Sequence, residues 1–183
     1  PDTLDGLVDL AERIVLDDEA PEPIWARAAT LFEGSAFSDL RWARLTQWRA
    51  LMAHFFDIPE VLAAATDFSR LTITASDRMA ARLFAAWLQS SLPFQPGFTV
   101  EYAEGSTSAL IDEVRLADHE QQLVIRLSAH RTCLETEVSV QGHRSASRLV
   151  ALRDQTLTGL LTEELRIRAR DAAFERALIR VSA

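Results

Sequence analysis

Alternating apolar and polar residues in the second half of the chain are the feature that most constrains its fold. A period of two is typical of β-strands that bury one face and expose the other. Four segments follow it: Phe98–Tyr102, Leu110–Leu116, Leu123–Leu127 and Leu134–Val140. The short polar links between the last three segments favour antiparallel hairpins. The expected inward residues are Phe98, Val100, Tyr102, Leu110, Val114, Leu116, Leu123, Ile125, Leu127, Leu134, Val138 and Val140.

Further strands and helices flank these four segments. Leu71–Ala75 is another expected strand, and Ser76-Asp77 begins a helix that runs to about residue 89. Two more helices are expected at 154–168 and from Asp171 onward, and a weaker strand signal lies at 147–152. The predicted fold class is α+β, with an antiparallel-rich (mixed) sheet and helices packed on one face, preceded by a helical N-terminal part.

The N-terminal part is predicted to be helical from its residue spacing. Leu4–Leu16 follows a helical period, and a second short helix is expected at 24–33, after a break rich in charge and proline. Ser38 is the predicted N-cap of a long helix at 39–56, because its hydroxyl can accept from the amides of the next turn. One more short helix is expected to end near residue 66.

Domain organisation follows this change in period. We predict a helical N-terminal region at 1–67, which includes an acidic arm at 1–39, and an α+β domain at 68–183. The arm carries the whole net charge of −8, because the remaining residues hold equal numbers of acids and arginines. Affinity for nucleic acid depends on basic side chains that neutralise phosphates, so a nucleic-acid partner is not expected. The arm can aid solubility or steer a basic partner surface.

Cysteine and hydropathy patterns favour the cytoplasm. The single cysteine, Cys133, cannot form an internal disulfide and fits a reducing compartment. Charged residues interrupt every apolar run before it reaches the length needed to cross a bilayer, so no membrane span is predicted. The first residues lack the basic and apolar regions of a signal peptide.

Motifs that carry chemistry are few. The glycines are not clustered as a dinucleotide fingerprint or a phosphate-binding loop requires, so no nucleotide cofactor is predicted. His130 and Cys133 form at most half of a metal site, and a hairpin turn that leads into a strand accounts for them better. Asp112 occupies an inward strand position, where a carboxylate needs a partner. A pair with Arg78 or Arg82, a strand-edge bulge and a catalytic acid all remain open for it, and no enzyme class is supported.

Tryptophan and arginine alternate on the predicted long helix between Arg41 and Arg49. Apolar residues cover more of this helix than the usual single face of a surface helix. Trp and Arg are also the residue types most enriched in binding hot spots. A core position and a partner interface are both open for Trp42 and Trp48.

This segment resembles a known family. Asp39-Leu40-Arg41-Trp42-Ala43-Arg44-Leu45-Thr46-Gln47-Trp48-Arg49 is similar to the D-L-x-W-x-R-L-x-x-W-R signature of the OpcA family, the glucose-6-phosphate dehydrogenase assembly proteins. The segment Ala80–Leu88 resembles the family's A-x-L-x-x-W-L helix. The ending from Leu160 to Leu178 resembles its L-L-x-E-E-L-R and D-x-x-Y-x-x-A-L motifs.

The resemblance implies a non-catalytic protein that binds glucose-6-phosphate dehydrogenase and supports its activity in the oxidative pentose phosphate pathway. The chemistry and the cofactor would then belong to the partner enzyme, and self-association is left open. A regulatory module that senses a sugar phosphate is the alternative function. The predicted partner-binding residues are Arg41, Trp42, Arg44, Trp48, Arg49, Arg78 and Arg82.

Overall fold

The chain forms two compact units in a computed structural model that describes residues 10–27, 35–106, 109–141, 143–144, 147–166 and 169–182. Unit 1 combines residues 1–44 with 154–183, and unit 2 comprises residues 45–153. This division does not follow the predicted boundary between residues 67 and 68, because residues on both sides of it pack within unit 2.

The described elements follow one another in chain order: β1 (Arg13–Leu16), α1 (Glu22–Trp25), β2 (Ala36–Asp39), α2 (Leu40–Arg44), α3 (Thr46–Phe55), α4 (Pro59–Ala63), β3 (Arg70–Ala75), α5 (Arg78–Ser91), β4 (Thr99–Glu104), β5 (Glu113–Ala117), β6 (Gln122–Leu127), β7 (Cys133–Val140), β8 (His143–Arg144), β9 (Arg148–Ala151), α6 (Leu157–Arg166) and α7 (Ala172–Ser182).

Unit 1 contains a two-stranded parallel sheet, so the predicted helical N-terminal part is wrong. β1 pairs with β2 from Arg13 opposite Ala36 to Leu16 opposite Asp39. The β-branched residues Ile14 and Val15 suit an extended backbone that pairs with a neighbour, and this tertiary pairing overrides the helical spacing. The earlier part of the predicted helix, residues 4–9, lies outside the described residues.

The predicted long helix is divided and starts later than expected. Ser38 lies in β2 and does not act as an N-cap; the Asp39 carboxylate accepts from the Arg41 amide at 2.8 Å instead. The helix then breaks at Leu45, where α2 of unit 1 ends and α3 of unit 2 begins. Of the predicted helix at 24–33, the described part is helical only within α1, and 28–34 lie outside the described residues.

A seven-stranded mixed sheet is the central element of the described part of unit 2. Its strand order is β4-β3-β5-β6-β7-β8, and β9 also pairs with β7. The predicted antiparallel hairpins β5–β6 and β6–β7 are confirmed, as is a final strand at β9. β4 instead runs parallel to β3, because the intervening helix α5 returns the chain to the same end of the sheet.

One face of this sheet supports the helices. α3 packs against β6, and α5 packs against β3. Asp77 begins α5 as predicted, and its Oδ1 accepts from the amides of Met79 and Ala80, each at 2.9 Å. The fully buried residues on this face are Leu71, Ile73, Val114, Leu116, Leu123, Ile125 and Leu134.

Two of the predicted inward positions differ from the structure. Tyr102 is 38% exposed, because β4 is the edge strand of the sheet. Before β5 the buried residue is Ile111 and not Leu110, so the alternation changes phase at Asp112. Asp112 itself lies in the link before β5, which begins at Glu113.

Gly105 allows the chain to pass close to β3 as it leaves β4. A Cβ at this position would lie 2.7 Å from the backbone carbon of Ala75, the backbone nitrogen of Ser76 and an Asp112 carboxylate oxygen. Two of these three atoms belong to the backbone and cannot rotate away, so only glycine fits without a local shift.

We therefore expect Gly105→Ala to lower the free energy of unfolding by about 1–3 kcal/mol, the usual range for overpacking. Urea denaturation followed by circular dichroism measures this difference. Ala103→Gly, two residues earlier at an exposed side-chain position of β4, is the control for an altered strand residue. An unchanged unfolding midpoint for Gly105→Ala would contradict the close approach.

Candidate functional site

The segment 39–49, which resembles the OpcA signature, is called the family-like segment. The Asp39 carboxylate organises its first half. Asp39 is 0% exposed, and its Oδ2 accepts from Trp25 Nε1 at 3.0 Å. The Arg41 guanidinium lies 3.9 Å from Oδ1 and also donates to the backbone carbonyls of Asp18 and Glu19, the latter at 3.3 Å. Arg41 thus connects the carboxylate at the end of β2 to the backbone of the acidic segment.

Burial raises the pKa of Asp39 from 3.8 to about 6. Hydrogen bonds from the Arg41 amide and the Trp25 indole and the charge of Arg41 oppose this effect, while the charge of Asp17 adds to it. Desolvation outweighs the favourable contacts because the carboxylate has no access to solvent. The folded chain therefore holds this proton more tightly than the unfolded chain does.

This pKa predicts that Asp39 makes the chain less stable as the pH rises from about 4 to about 6. Within that window the folded state binds more protons than the unfolded state, so unfolding becomes easier as the proton is lost. The effect is on the order of 2–3 kcal/mol, since one pKa unit corresponds to about 1.4 kcal/mol.

Melting temperatures measured across this pH window test the prediction in Asp39→Asn, which should show a flatter profile than the wild type. Asp67→Asn, which removes an exposed carboxylate, is the matched control. Equal slopes for Asp39→Asn and the wild type would show that Asp39 does not titrate in this range.

Trp42 is buried within unit 1. It is 2% exposed, and its ring centroid lies 5.4 Å from that of Phe174 on α7. Its Nε1 donates to Asp171 Oδ2 at 2.8 Å, while Asp171 Oδ1 accepts from the first amides of α7. Phe37 stacks on the same Phe174 ring at 6.1 Å. The aromatic residues of β2 and α2 therefore fix the start of the C-terminal helix.

Removing the indole donor should destabilise the chain more than the lost volume alone. We expect Trp42→Phe to lower the free energy of unfolding by about 1–3 kcal/mol more than a matched Trp→Phe change, because the partly buried Asp171 oxygen loses its donor. Trp87→Phe is that control, since Trp87 is also buried but contacts Phe84 through its ring face and edge. Guanidinium denaturation of both variants gives the comparison, and equal losses would contradict a role for the hydrogen bond.

Arg44 and the acidic arm are joined by an ion pair. Arg44 Nη1 lies 3.1 Å from Asp17 Oδ1, with side chains 21% and 46% exposed. Such a partly solvated pair contributes little to stability, on the order of 0–1 kcal/mol. In the described part of the arm, residues 17–19 thus contact two arginines of the family-like segment of the same chain.

The second half of the segment belongs to unit 2. Trp48 is buried on α3, and Arg49 Nη2 donates to Thr46 Oγ1 at 3.1 Å. Gln47, which the sequence did not single out, is buried and bonds at both ends of its amide. Its Nε2 donates to the Ala151 carbonyl at 2.7 Å, and its Oε1 accepts from the Arg153 amide at 3.0 Å. The sequence signal that could have identified Gln47 was a polar residue among the apolar positions of the predicted helix.

Arg78 and Arg82 lie on α5 beside the edge of the sheet. Arg78 is exposed, and its Cζ lies 5.6 Å from the centroid of the Tyr102 ring. Arg82 is half-buried and contacts Met79 Sδ at 3.8 Å. A pocket of about 270 Å³ opens here, lined by Ala75, Ser76, Arg78, Ala81, Tyr102, Ala103 and Glu104. Burial raises the pKa of Tyr102 although both arginines oppose the shift, so its phenol keeps its proton at neutral pH.

The other polar residues singled out in the sequence have local roles. Asp112 Oδ2 accepts from the Ser106 amide at 2.9 Å, a contact that stabilises the link between β4 and β5. His130 is exposed in the β6–β7 hairpin turn, and Cys133 begins β7, as the hairpin interpretation predicted. Among the described residues, no group of three His, Cys, Asp or Glu side chains is placed to hold a metal ion. No helix in the described ranges is long and apolar enough to cross a membrane.

Comparison with known proteins identifies the segment and its surroundings. The family model OpcA_G6PD_C, described as the C-terminal domain of a glucose-6-phosphate dehydrogenase subunit, matches residues 35–178. This range extends from the residue before β2 into α7, and it includes all seven predicted partner-binding residues.

A curated relative and a solved structure also match. A protein named putative OxPP cycle protein OpcA, from Nostoc punctiforme, is 31% identical over 134 residues, or 68% of this chain and 28% of that protein. The chain therefore spans little more than a quarter of the length of that relative. The match to a solved 3-ketoreductase from Actinomadura kijaniata, in complex with TDP-benzene and NADP, spans 93% of this chain and 73% of the reductase chain. With 10% identity and a TM-score of 0.44, that likeness supports no inference.

Proposed function

Because the chain belongs to the OpcA family, we propose that it is a non-catalytic domain that binds glucose-6-phosphate dehydrogenase in the cytoplasm. In this proposal it supports the activity of that enzyme in the oxidative pentose phosphate pathway, and the catalytic residues and cofactor belong to the partner.

The observation that carries the proposal is the extent of the family match. It covers residues 35–178, which contain most of the described elements of both units. The family description refers to a subunit of glucose-6-phosphate dehydrogenase, and the name of the Nostoc punctiforme relative refers to the same pathway. Binding to that enzyme is the simplest activity that agrees with both descriptions.

We propose that the seven predicted partner-binding residues have two different roles. Arg41, Trp42 and Arg44 contact other residues of unit 1, and Trp48 is buried. We propose that each of these four stabilises the unit in which it lies and that Arg49, which donates to Thr46, acts locally on α3. We assign direct contact with the partner to Arg78 and Arg82, because α5 presents them beside an open pocket.

The proposal predicts that the chain forms a complex with the dehydrogenase and that this complex has a different affinity for glucose 6-phosphate. When the chain is added to the cognate dehydrogenase, the two should co-elute from a size-exclusion column. The apparent affinity of the enzyme for glucose 6-phosphate should change about fivefold or more, the lower end of typical coupling between sites. Steady-state kinetics with and without the chain give this value. Separate elution together with unchanged kinetics would refute the proposal.

A sugar-phosphate sensor is the second candidate function, and the Arg78 pocket is the observation that favours it. A cation, a phenol hydroxyl and a carboxylate line a space of about 270 Å³, which suits a small polar ligand. Binding only to the folded chain would raise its melting temperature. A rise with glucose 6-phosphate in the absence of the dehydrogenase would support sensing, and an unchanged value would leave the protein-binding function.

A further inference from the structure

The outer edge of β4 is open to an additional strand. The amides of Thr99 and Gly105 donate to the Ser69 and Ala75 carbonyls, each at 2.9 Å. Backbone groups of successive residues in a strand point to opposite sides, so Thr99, Glu101 and Ala103 face β3. The N–H and C=O groups of Val100, Tyr102 and Glu104 therefore point away from the sheet. No described backbone group bonds to them.

The side chains of these three residues lie on the same face of the sheet as α5. Val100 is opposite Leu71, Tyr102 opposite Ile73 and Glu104 opposite Ala75 on β3, whose side chains face the helices. A strand added to β4 would thus place every second side chain in the space between the sheet edge and α5. The pocket that contains Arg78 and Tyr102 occupies this space.

The chemistry of the pocket favours a carboxylate. The Arg78 guanidinium is exposed over the Tyr102 ring and forms no ion pair with any described residue. The Tyr102 hydroxyl, which has no described hydrogen-bond partner, can donate as well. Arg82 adds a second positive charge close to the same tyrosine. The one carboxylate that lines the pocket, Glu104, leaves the local charge positive.

We propose that the dehydrogenase partner adds an extended segment to β4 as a parallel or antiparallel strand and places a carboxylate side chain against Arg78 and Tyr102. This inference rests on the proposed function for the identity of the partner. Main-chain hydrogen bonds to Val100, Tyr102 and Glu104 supply affinity, and the pocket supplies selectivity, as in other cases of strand addition. A second copy of this chain fits less well, because Glu104 is the one acid among the β4 residues whose backbone faces outward, and Glu101 is already paired with Arg70 of β3 at 3.5 Å.

Substitutions test the pocket and the main-chain hydrogen bonds of the proposed contact separately. Arg78→Glu reverses the charge in the pocket, and an acid in the first turn of a helix is compatible with folding. Arg148→Glu is its control, because Arg148 is exposed on β9, toward the edge of the sheet opposite to β4. Tyr102→Pro removes an outward N–H without removing a bond to β3. Tyr102→Ala is its control, since it also loses the ring but keeps that N–H.

Biolayer interferometry with the full chain and the cognate dehydrogenase measures binding. We expect Arg78→Glu to bind at least about tenfold more weakly than Arg148→Glu, and Tyr102→Pro to bind at least about tenfold more weakly than Tyr102→Ala. Equal affinities within both pairs, with a wild type that binds, would overturn strand addition and leave the proposed function standing. A wild type that does not bind at all would remove the proposed function itself, and the inference with it.

Hydrogen–deuterium exchange decides the matter without substitutions, and it remains informative if Tyr102→Pro does not fold. In the complex, the amides of Val100, Tyr102 and Glu104 should exchange at least about tenfold more slowly, because they become hydrogen-bonded. The amides of Glu101 and Ala103, which face β3, should change much less. Unchanged exchange at all three outward amides in a stable complex would refute the inference. If these amides become protected as the concentration of the chain is raised without the dehydrogenase, the added strand comes from a second copy of the chain, and the proposed partner is wrong.

Discussion

The buried Asp39 carboxylate is the contact on which the described part of unit 1 most depends. A carboxylate without access to solvent is costly unless hydrogen bonds satisfy it. It is satisfied by the Trp25 indole and the Arg41 amide, and Arg41 then reaches the carbonyls of Asp18 and Glu19. Segments before β2 and the helix after it are therefore fixed by one charged group. The raised pKa shows that these contacts do not fully offset the loss of solvent.

The break at Leu45 explains the unusual apolar girth of the family-like segment. A single helix with two apolar stripes would need either a second packing layer or a partner. Instead, Trp42 packs against Phe174 in unit 1, while Trp48 lies on α3, which packs against β6 in unit 2. Each stripe thus has its own environment within the chain. The motif that identifies the family is built largely from residues with structural contacts, so it does not by itself locate the partner surface.

Local patterns predicted the elements whose environment is also local. The hairpins from β5 to β7 follow from strict alternation and short links, and α5 follows from the Asp77 cap. β1 and β2 could not be predicted in this way, because each has four residues and pairs across a separation of more than 20 positions. The exposure of Tyr102 could not be predicted from local patterns either. Its alternation with Val100 indicates a strand, but only the parallel pairing with β3 determines that this strand lies at an edge.

That parallel pairing also determines what the edge can recognise. A hairpin would have placed β4 beside β5, whereas the α5 crossover leaves β3 between them. The same crossover begins α5 near the end of β4, so a cation and an outward-facing backbone lie side by side. An exposed edge invites unwanted pairing unless charge opposes it. Arg78 favours an acidic strand, whereas β4 offers only Glu104 as an acid among its outward-facing residues, and this difference selects an acidic segment of another protein over a second copy.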